Sequence, residues 1–197
     1  MAWLGMRGRK RPGRALPFPA GPHLRMAQLA KTAGFDSVVA FPEECVSDLQ
    51  SFKPQVLVAP AQALLAAAHA IFAGDLSLES IDVAIFVLIQ IGDTPVPPPE
   101  RDLIWRAFRV PVYELYVDSA SNLLASECEA HDGWHVRSPN LQFFLEGREL
   151  LLCCPHQPPI RTGLTASCTD GRCACGDMAP LLRGVTENFR SLAASAS

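Results

Sequence analysis

The 197-residue chain contains no unbroken apolar run of the roughly 18 residues that a membrane-spanning helix needs, which excludes an ordinary helical membrane protein. Residues 1–20 hold no apolar segment of signal-peptide length, which argues against secretion and for a cytoplasmic protein. No Gly-x-Ser-x-Gly elbow occurs, so a hydrolase built on that strand-to-helix nucleophile is excluded. There is no internal repeat. No acidic residue precedes Asp36, whereas Arg7, Arg9, Lys10, Arg11, Arg14, Arg25 and Lys31 all do. Residues 1–21 therefore read as a basic, irregular head. It lacks the interleaved aromatics of a nucleic-acid arm, and nucleic acid is not an expected partner. What is present is a 49% hydrophobic composition, enough for a packed core, with a net charge of only −3.

Seven cysteines, an odd number in a chain that is not small, point to reduced thiols rather than a disulfide framework. Cys153, Cys154, Cys168, Cys173 and Cys175 fall late in the chain, close to His156, and the clustering favours metal binding. Cys128 and His135, with Cys173 and Cys175, supply three thiolates and one imidazole, the donor set of a closed tetrahedral zinc site. Gly176 permits the tight turn that a Cys-x-Cys pair needs. Cys168 and His156 are reserve ligands, and Cys153-Cys154 reads as strand core.

The spacing of apolar residues predicts a helix over 23–33 and a strand over 37–41. A helix started by Pro42 follows, then a strand over 55–59. An Ala/Leu-rich helix runs from Ala61 to Ala73 and stops at Gly74. Its Leu64, Leu65, Ala68, Ile71 and Phe72 offer an apolar face to a second subunit. His69 on this helix reads as an ordinary surface or core histidine. Val83–Ile91 is apolar throughout, as expected of a strand buried on both faces. A helix over 100–108 and a strand over 110–116 complete a β-α-β-α-β-α-β series, which implies a parallel sheet. Asp118, Ser119 and Ser121 then sit at a strand's carboxyl end, where ligands bind in open α/β sheets, although the same residues suit a plain turn. Beyond Val136, LQFFLE and RELLLCC read as a hairpin turning at Glu146-Gly147, with a third strand over 160–166. The expected fold is α/β: a mainly parallel sheet flanked by helices, with a small antiparallel β-lobe carrying the zinc site. The expected divisions are a head (1–21), an α/β subdomain (22–127), a zinc-containing lobe (128–185) and a frayed tail (186–197).

The order of several short motifs resembles the adenylate-forming acid–CoA ligases, most closely the phenylacetate–CoA ligase branch, over about residues 50–180. Gly92-Asp93 stands where that family has Gly-Glu. Tyr116-Val117-Asp118-Ser119-Ala120 stands for its Tyr-led loop. Glu127-Cys128, Trp134-His135, Pro159-Ile160-Arg161-Thr162-Gly163 and Cys173-Ala174-Cys175-Gly176 follow in the family's order. The resemblance implies nucleotide contacts at Gly92, Asp93, Tyr116, Ser119 and Arg161, with Tyr116 against adenine. As a strand residue Tyr116 is equally a core aromatic. It also implies zinc at Cys128, His135, Cys173 and Cys175, as in some relatives of that branch.

Two family carboxylates are replaced. Ala120 or Ser121 occupies the place of the magnesium-binding glutamate, and Leu164 that of the ribose-binding aspartate. The family's phosphate loop and its lid with the catalytic lysine have no counterpart in these residues. The expectation is a truncated relative without independent adenylating activity, which keeps at most a nucleotide or acyl pocket for ATP or AMP. One alternative is a ligase component completed by a partner chain; another is a zinc-stabilised protein-interaction module. A homodimer or a larger partner is expected.

Overall fold

A computed structural model describes residues 16–17, 23–30, 34–42, 46–138, 141–153, 158–169 and 173–188. Most of the basic head, Cys45, Cys154, His156 and the tail beyond Asn188 lie outside the described residues. Among those described, no helix is long and apolar enough to cross a membrane.

The series expected over 36–117 is present. Strand β2 (Val38–Phe41) leads through α1 (Val46–Phe52) to β3 (Val56–Pro60), then through α2 (Ala61–Ala73) to β4 (Ala84–Gln90), and through α3 (Pro98–Phe108) to β5 (Val112–Val117). The α2 and α3 crossovers each return to a parallel neighbour in the sheet, β3 beside β4 and β4 beside β5, whereas the α1 crossover skips one strand position. Local chemistry explains the helix ends. Gly74 closes α2 in the left-handed region at φ 81°, where its missing Cβ removes the steric cost. Pro98 and Pro99 occupy the first helical positions of α3, whose amides need no partner in the preceding turn.

The segment expected to form a first helix is instead partly a strand, β1 (Met26–Leu29). It lies between β2 and β3, parallel to both. Two neighbours satisfy its backbone groups, and Ala27, Gln28 and Leu29 are buried. Ladder pairing on both sides therefore overrides the helical spacing of its apolar residues.

The strands alternate their side chains between two packed layers. Leu57, Ala59, Ile85, Val87 and Ile89 meet Leu64 and Ala68 of α2 and Ile104 and Phe108 of α3. Val56, Val58, Phe86, Leu88, Leu115 and Val117 line the opposite face, where Leu16 and Phe35 join them. Full burial of one such aliphatic side chain contributes about 1.5–3 kcal/mol, which is why the apolar runs in β3 and β4 fix this arrangement. The apolar face of α2 expected to meet a second subunit is largely occupied by the chain's own core. Leu64 and Ala68 are fully buried, and Phe72 stays exposed.

After β5 the sheet continues with antiparallel strands. These are β6 (Leu123–Glu127), β7 (Trp134–Val136), β12 (Leu181–Glu187) and β11 (Leu164–Thr169), in the order β11-β12-β7-β6-β5-β4-β3-β1-β2. A separate three-stranded sheet holds β8 (Gln142–Glu146), β9 (Glu149–Cys153) and β10 (Ile160–Arg161). The hairpin at Glu146-Gly147 is formed as expected, with Gly147 at φ 65°. The strand expected over 160–166 is two strands. Thr162 and Gly163 break it, so that β10 pairs with β9 and β11 pairs with β12. Residues 186–187, placed in a fraying tail, pair with Thr165 and Leu164. The small sheet is thus only part of the antiparallel half, and β6, β7, β11 and β12 extend the large sheet.

Candidate metal centre and ligand sites

Cys128 follows directly on β6, and His135 lies on β7, which pairs with β6 through Ser126↔His135 and Glu127↔Trp134. Cys173 and Cys175 belong to the loop that enters β12, and β12 pairs with β7 through Leu181↔His135. Three adjacent strands therefore carry residues distant in sequence to one point. One donor atom from each of Cys128, His135, Cys173 and Cys175 lies within 4.8 Å of the others. The cluster sits on the antiparallel half of the large sheet, not on the three-stranded sheet where a separate lobe was expected.

The distances fit a metal. Zn–S bonds of about 2.3 Å and Zn–N bonds of about 2.0–2.1 Å imply tetrahedral edges of about 3.8 Å between sulfurs and about 3.5 Å between sulfur and nitrogen. Here Cys128 Sγ and Cys173 Sγ are 3.5 Å apart, and Cys175 Sγ is 3.4 Å from His135 Nε2. His135 is fully buried, and its Nδ1 is 3.3 Å from the Ala179 carbonyl oxygen, which leaves Nε2 toward the thiols as the nitrogen that could bind a metal. The amide of Gly176 donates to the Cys173 carbonyl at 3.0 Å and closes the Cys-x-Cys turn. The thiols are unequal. Burial pushes Cys128 up to about 12. Cys173 is drawn down to about 7, chiefly by the Cys175 amide, with His135 adding to the effect.

The residues that the resemblance assigns to nucleotide are scattered. Gly92 and Asp93 form the exposed turn after β4, and an Asp93 carboxylate oxygen accepts the Gln90 amide at 3.1 Å. Tyr116 is fully buried, with its ring 5.2 Å from Trp134 and 6.4 Å from Phe143. Its hydroxyl has no hydrogen-bond partner among the described residues, and burial first, then Asp93, raises its pKa. Ser119 is exposed in the β5–β6 turn. Asp118 organises that turn, accepting the amides of Ala120 at 2.9 Å and Asn122 at 2.8 Å. Arg161 lies on the small sheet, where it pairs with Glu146 at 2.9 Å and with Glu149. Leu164, which the resemblance sets against the family aspartate, is fully buried.

A second polar cluster escaped the sequence reading. Glu114, in the middle of β5, is buried with Glu127 of β6. Glu114 accepts the Val96 amide at 2.8 Å and the Trp134 indole N–H at 2.9 Å. Glu127 accepts from Arg101 of α3 at 2.6 Å and from the Glu114 amide at 3.1 Å, and its other oxygen is 2.9 Å from His131 Nδ1. Arg101 also donates to the Val112 carbonyl. A cleft of about 590 Å³ beside them is lined by Arg101, Trp105, Pro111, Glu127 and His131. A lone charge inside the run VYELYV was the available signal.

Burial, then the neighbouring Glu127, raises the Glu114 pKa above its ordinary 4.5. A raised folded-state pKa means that the folded chain holds the proton longer. The contribution of Glu114 to stability is complete below about 4.5 and is lost as pH rises through the folded value. Wild-type stability relative to Glu114→Gln should therefore fall as pH rises from about 4.5 into the neutral range. Urea unfolding of both proteins across that range checks this, and a pH-independent difference would overturn it.

No protein-family model and no curated protein matches this sequence. Solved structures do. A 2-hydroxyisobutyryl-CoA ligase in complex with 2-HIB-AMP and CoA aligns at a TM-score of 0.64 and 15% identity, covering 85% of this chain and 45% of that one. The coronafacic acid ligase of Pectobacterium brasiliense aligns at 0.59 and 9% identity, with 85% and 40% covered. The anthranilate CoA ligase AuaEII, in complex with anthranoyl-AMP, aligns at 0.53 and 11% identity, with 81% and 39% covered. The chain shares the fold of acid–CoA ligases and spans less than half the length of each.

Proposed function

We propose that this chain is a zinc-stabilised relative of the phenylacetate–CoA ligase branch that does not adenylate carboxylic acids by itself. The carrying observation is Leu164, a fully buried side chain where the family has its ribose-binding aspartate. A leucine in that position adds to the core and offers no oxygen to a ribose hydroxyl. Three further features support the reading. Ala120 has no carboxylate with which to hold magnesium, Tyr116 is sealed beneath Trp134 and Phe143, and Arg161 is engaged by two glutamates. Phosphoryl chemistry on ATP depends on charge neutralisation at the phosphates, and these positions supply none. Zinc, held by Cys128, His135, Cys173 and Cys175, acts structurally in this reading, because all four tetrahedral positions are filled by protein donors.

The purified chain should give no ATP–pyrophosphate exchange above a heat-inactivated control with a panel of aryl and short aliphatic acids. Clear acid-dependent exchange would overturn the proposal. A second reading, in which a partner chain completes a ligase site, draws on Phe144 and Leu145, exposed on the outer strand β8, and on exposed Met178. Apolar residues on an open strand edge favour association. In that case exchange activity appears only after the second chain is added.

A further inference from the structure

We infer that Asp177 is the positioning residue of the metal centre, and that it acts on both the Cys175 and the His135 donors. The inference rests on the reading that the tetrad holds zinc. Asp177 lies two residues after Cys175, and its backbone amide donates to Cys175 Sγ at 3.4 Å. One carboxylate oxygen accepts the Ala179 amide at 2.9 Å. That bond fixes the turn whose Ala179 carbonyl faces His135 Nδ1 at 3.3 Å. The other oxygen is 4.0 Å from His135 Nδ1 and pairs with Arg137. Arg137 is anchored in turn, because its Nε donates to Ser126 Oγ at 2.6 Å, and Ser126 stands opposite His135 in the β6–β7 ladder.

Each contact has a consequence at the metal. An amide directed at a thiolate sulfur stabilises its negative charge and fixes its direction. A carbonyl acceptor on Nδ1 holds the imidazole in the tautomer that presents Nε2. The Arg137 ion pair ties the 173–180 loop to the strand that carries His135, so the two halves of the site approach the metal preformed. Without Asp177 the same four donors remain, but the loop must be ordered when the metal binds.

The test uses the full chain loaded with one zinc and titrated against a chromophoric chelator. Cobalt substitution gives an independent spectrum of the site. Asp177→Asn keeps an acceptor for the Ala179 amide and removes the charge. It should weaken zinc binding about 10–100-fold and shift the cobalt bands, the usual scale for an outer partner of a metal ligand. Arg137→Gln leaves the Asp177 turn intact and should weaken binding in the same direction, which keeps the inference testable if Asp177→Asn folds poorly. Asp132→Asn breaks a comparable ion pair, with Arg183, in the neighbouring turn, and should leave affinity unchanged. Wild-type affinity in Asp177→Asn and Arg137→Gln, or an equal loss in Asp132→Asn, would overturn the role of Asp177. A wild-type chain that takes up neither zinc nor cobalt would overturn the zinc reading beneath it.

Discussion

Replacing Cys173 by serine is expected to abolish tight zinc binding and to lower the thermal midpoint by about 8–16 °C, equivalent to about 4 kcal/mol in a chain of this size. The magnitude follows from linkage. Structural zinc sites contribute about 10–16 kcal/mol of binding free energy in small peptides, as much as a whole domain's stability of about 5–15 kcal/mol. Part of that remains when three ligands and a water hold the ion, so the expected loss is smaller than the full term. Cys173 is the ligand to choose because it is buried in a small cluster with Cys128 and Leu181 and makes the turn that brings Cys175 into place. A serine hydroxyl is a poor zinc ligand and leaves a polar group among apolar neighbours. Elemental analysis and a melting curve read the two effects separately. Cys168→Ser, at an exposed position on β11 outside the tetrad, should match wild type in both. A Cys173→Ser protein that melts with wild type would show that the tetrad does not hold a structural ion.

Arg101→Ala should cost about 1–3 kcal/mol, the scale for leaving a buried acceptor without its partner, because Glu127 is buried while Arg101 is partly exposed. Arg101 neutralises Glu127, and a second buried carboxylate, Glu114, lies against the same group. With the guanidinium gone, two buried carboxylates adjoin without it, and water reaches them from the cleft that Glu127 and His131 line. Glu127 directly precedes Cys128, so relaxation at Glu127 should also loosen the Cys/His cluster. The double variant Arg101→Ala/Glu127→Gln removes the stranded charge and should recover part of the loss. Denaturant unfolding of the three proteins checks this. A single variant within about 0.5 kcal/mol of wild type, the range of an ordinary surface change, would mean that the Arg101–Glu127 pair adds little to stability.

The convergence of Cys128, His135, Cys173 and Cys175 into one group that could hold a metal ion was legible because its signal is chemical and local. Thiols and an imidazole in Cys-x6-His and Cys-x-Cys spacing are uncommon in combination. The Asp177–Arg137 pair that supports them was not legible, because a single aspartate and a single arginine forty residues apart carry no pattern. Glu114 announced itself as a charge in an apolar run, but its partners Val96, Glu127 and Trp134 come from three other segments. The loop after β5 reads more readily as a plain turn than as a binding loop, and its residues suit both. The structure shows Asp118 committed to the turn, through bonds that spacing alone does not distinguish from ligand contacts.

By itself the sequence determined the alternating half of the molecule, from β2 to β5. The apolar runs of β3 and β4 and the Pro and Gly stops of α2 and α3 act within a few residues of one another, so local sterics and burial settle them. Tertiary structure decided the rest. Met26–Leu29 has helical spacing but becomes a strand because β2 and β3 supply hydrogen bonds on both sides. Leu164–Thr169 and Leu181–Glu187 join the large sheet because β7 offers an open edge to β12, and β12 in turn offers one to β11. Those pairings are long-range, and no periodicity within a short segment encodes which edge will be free.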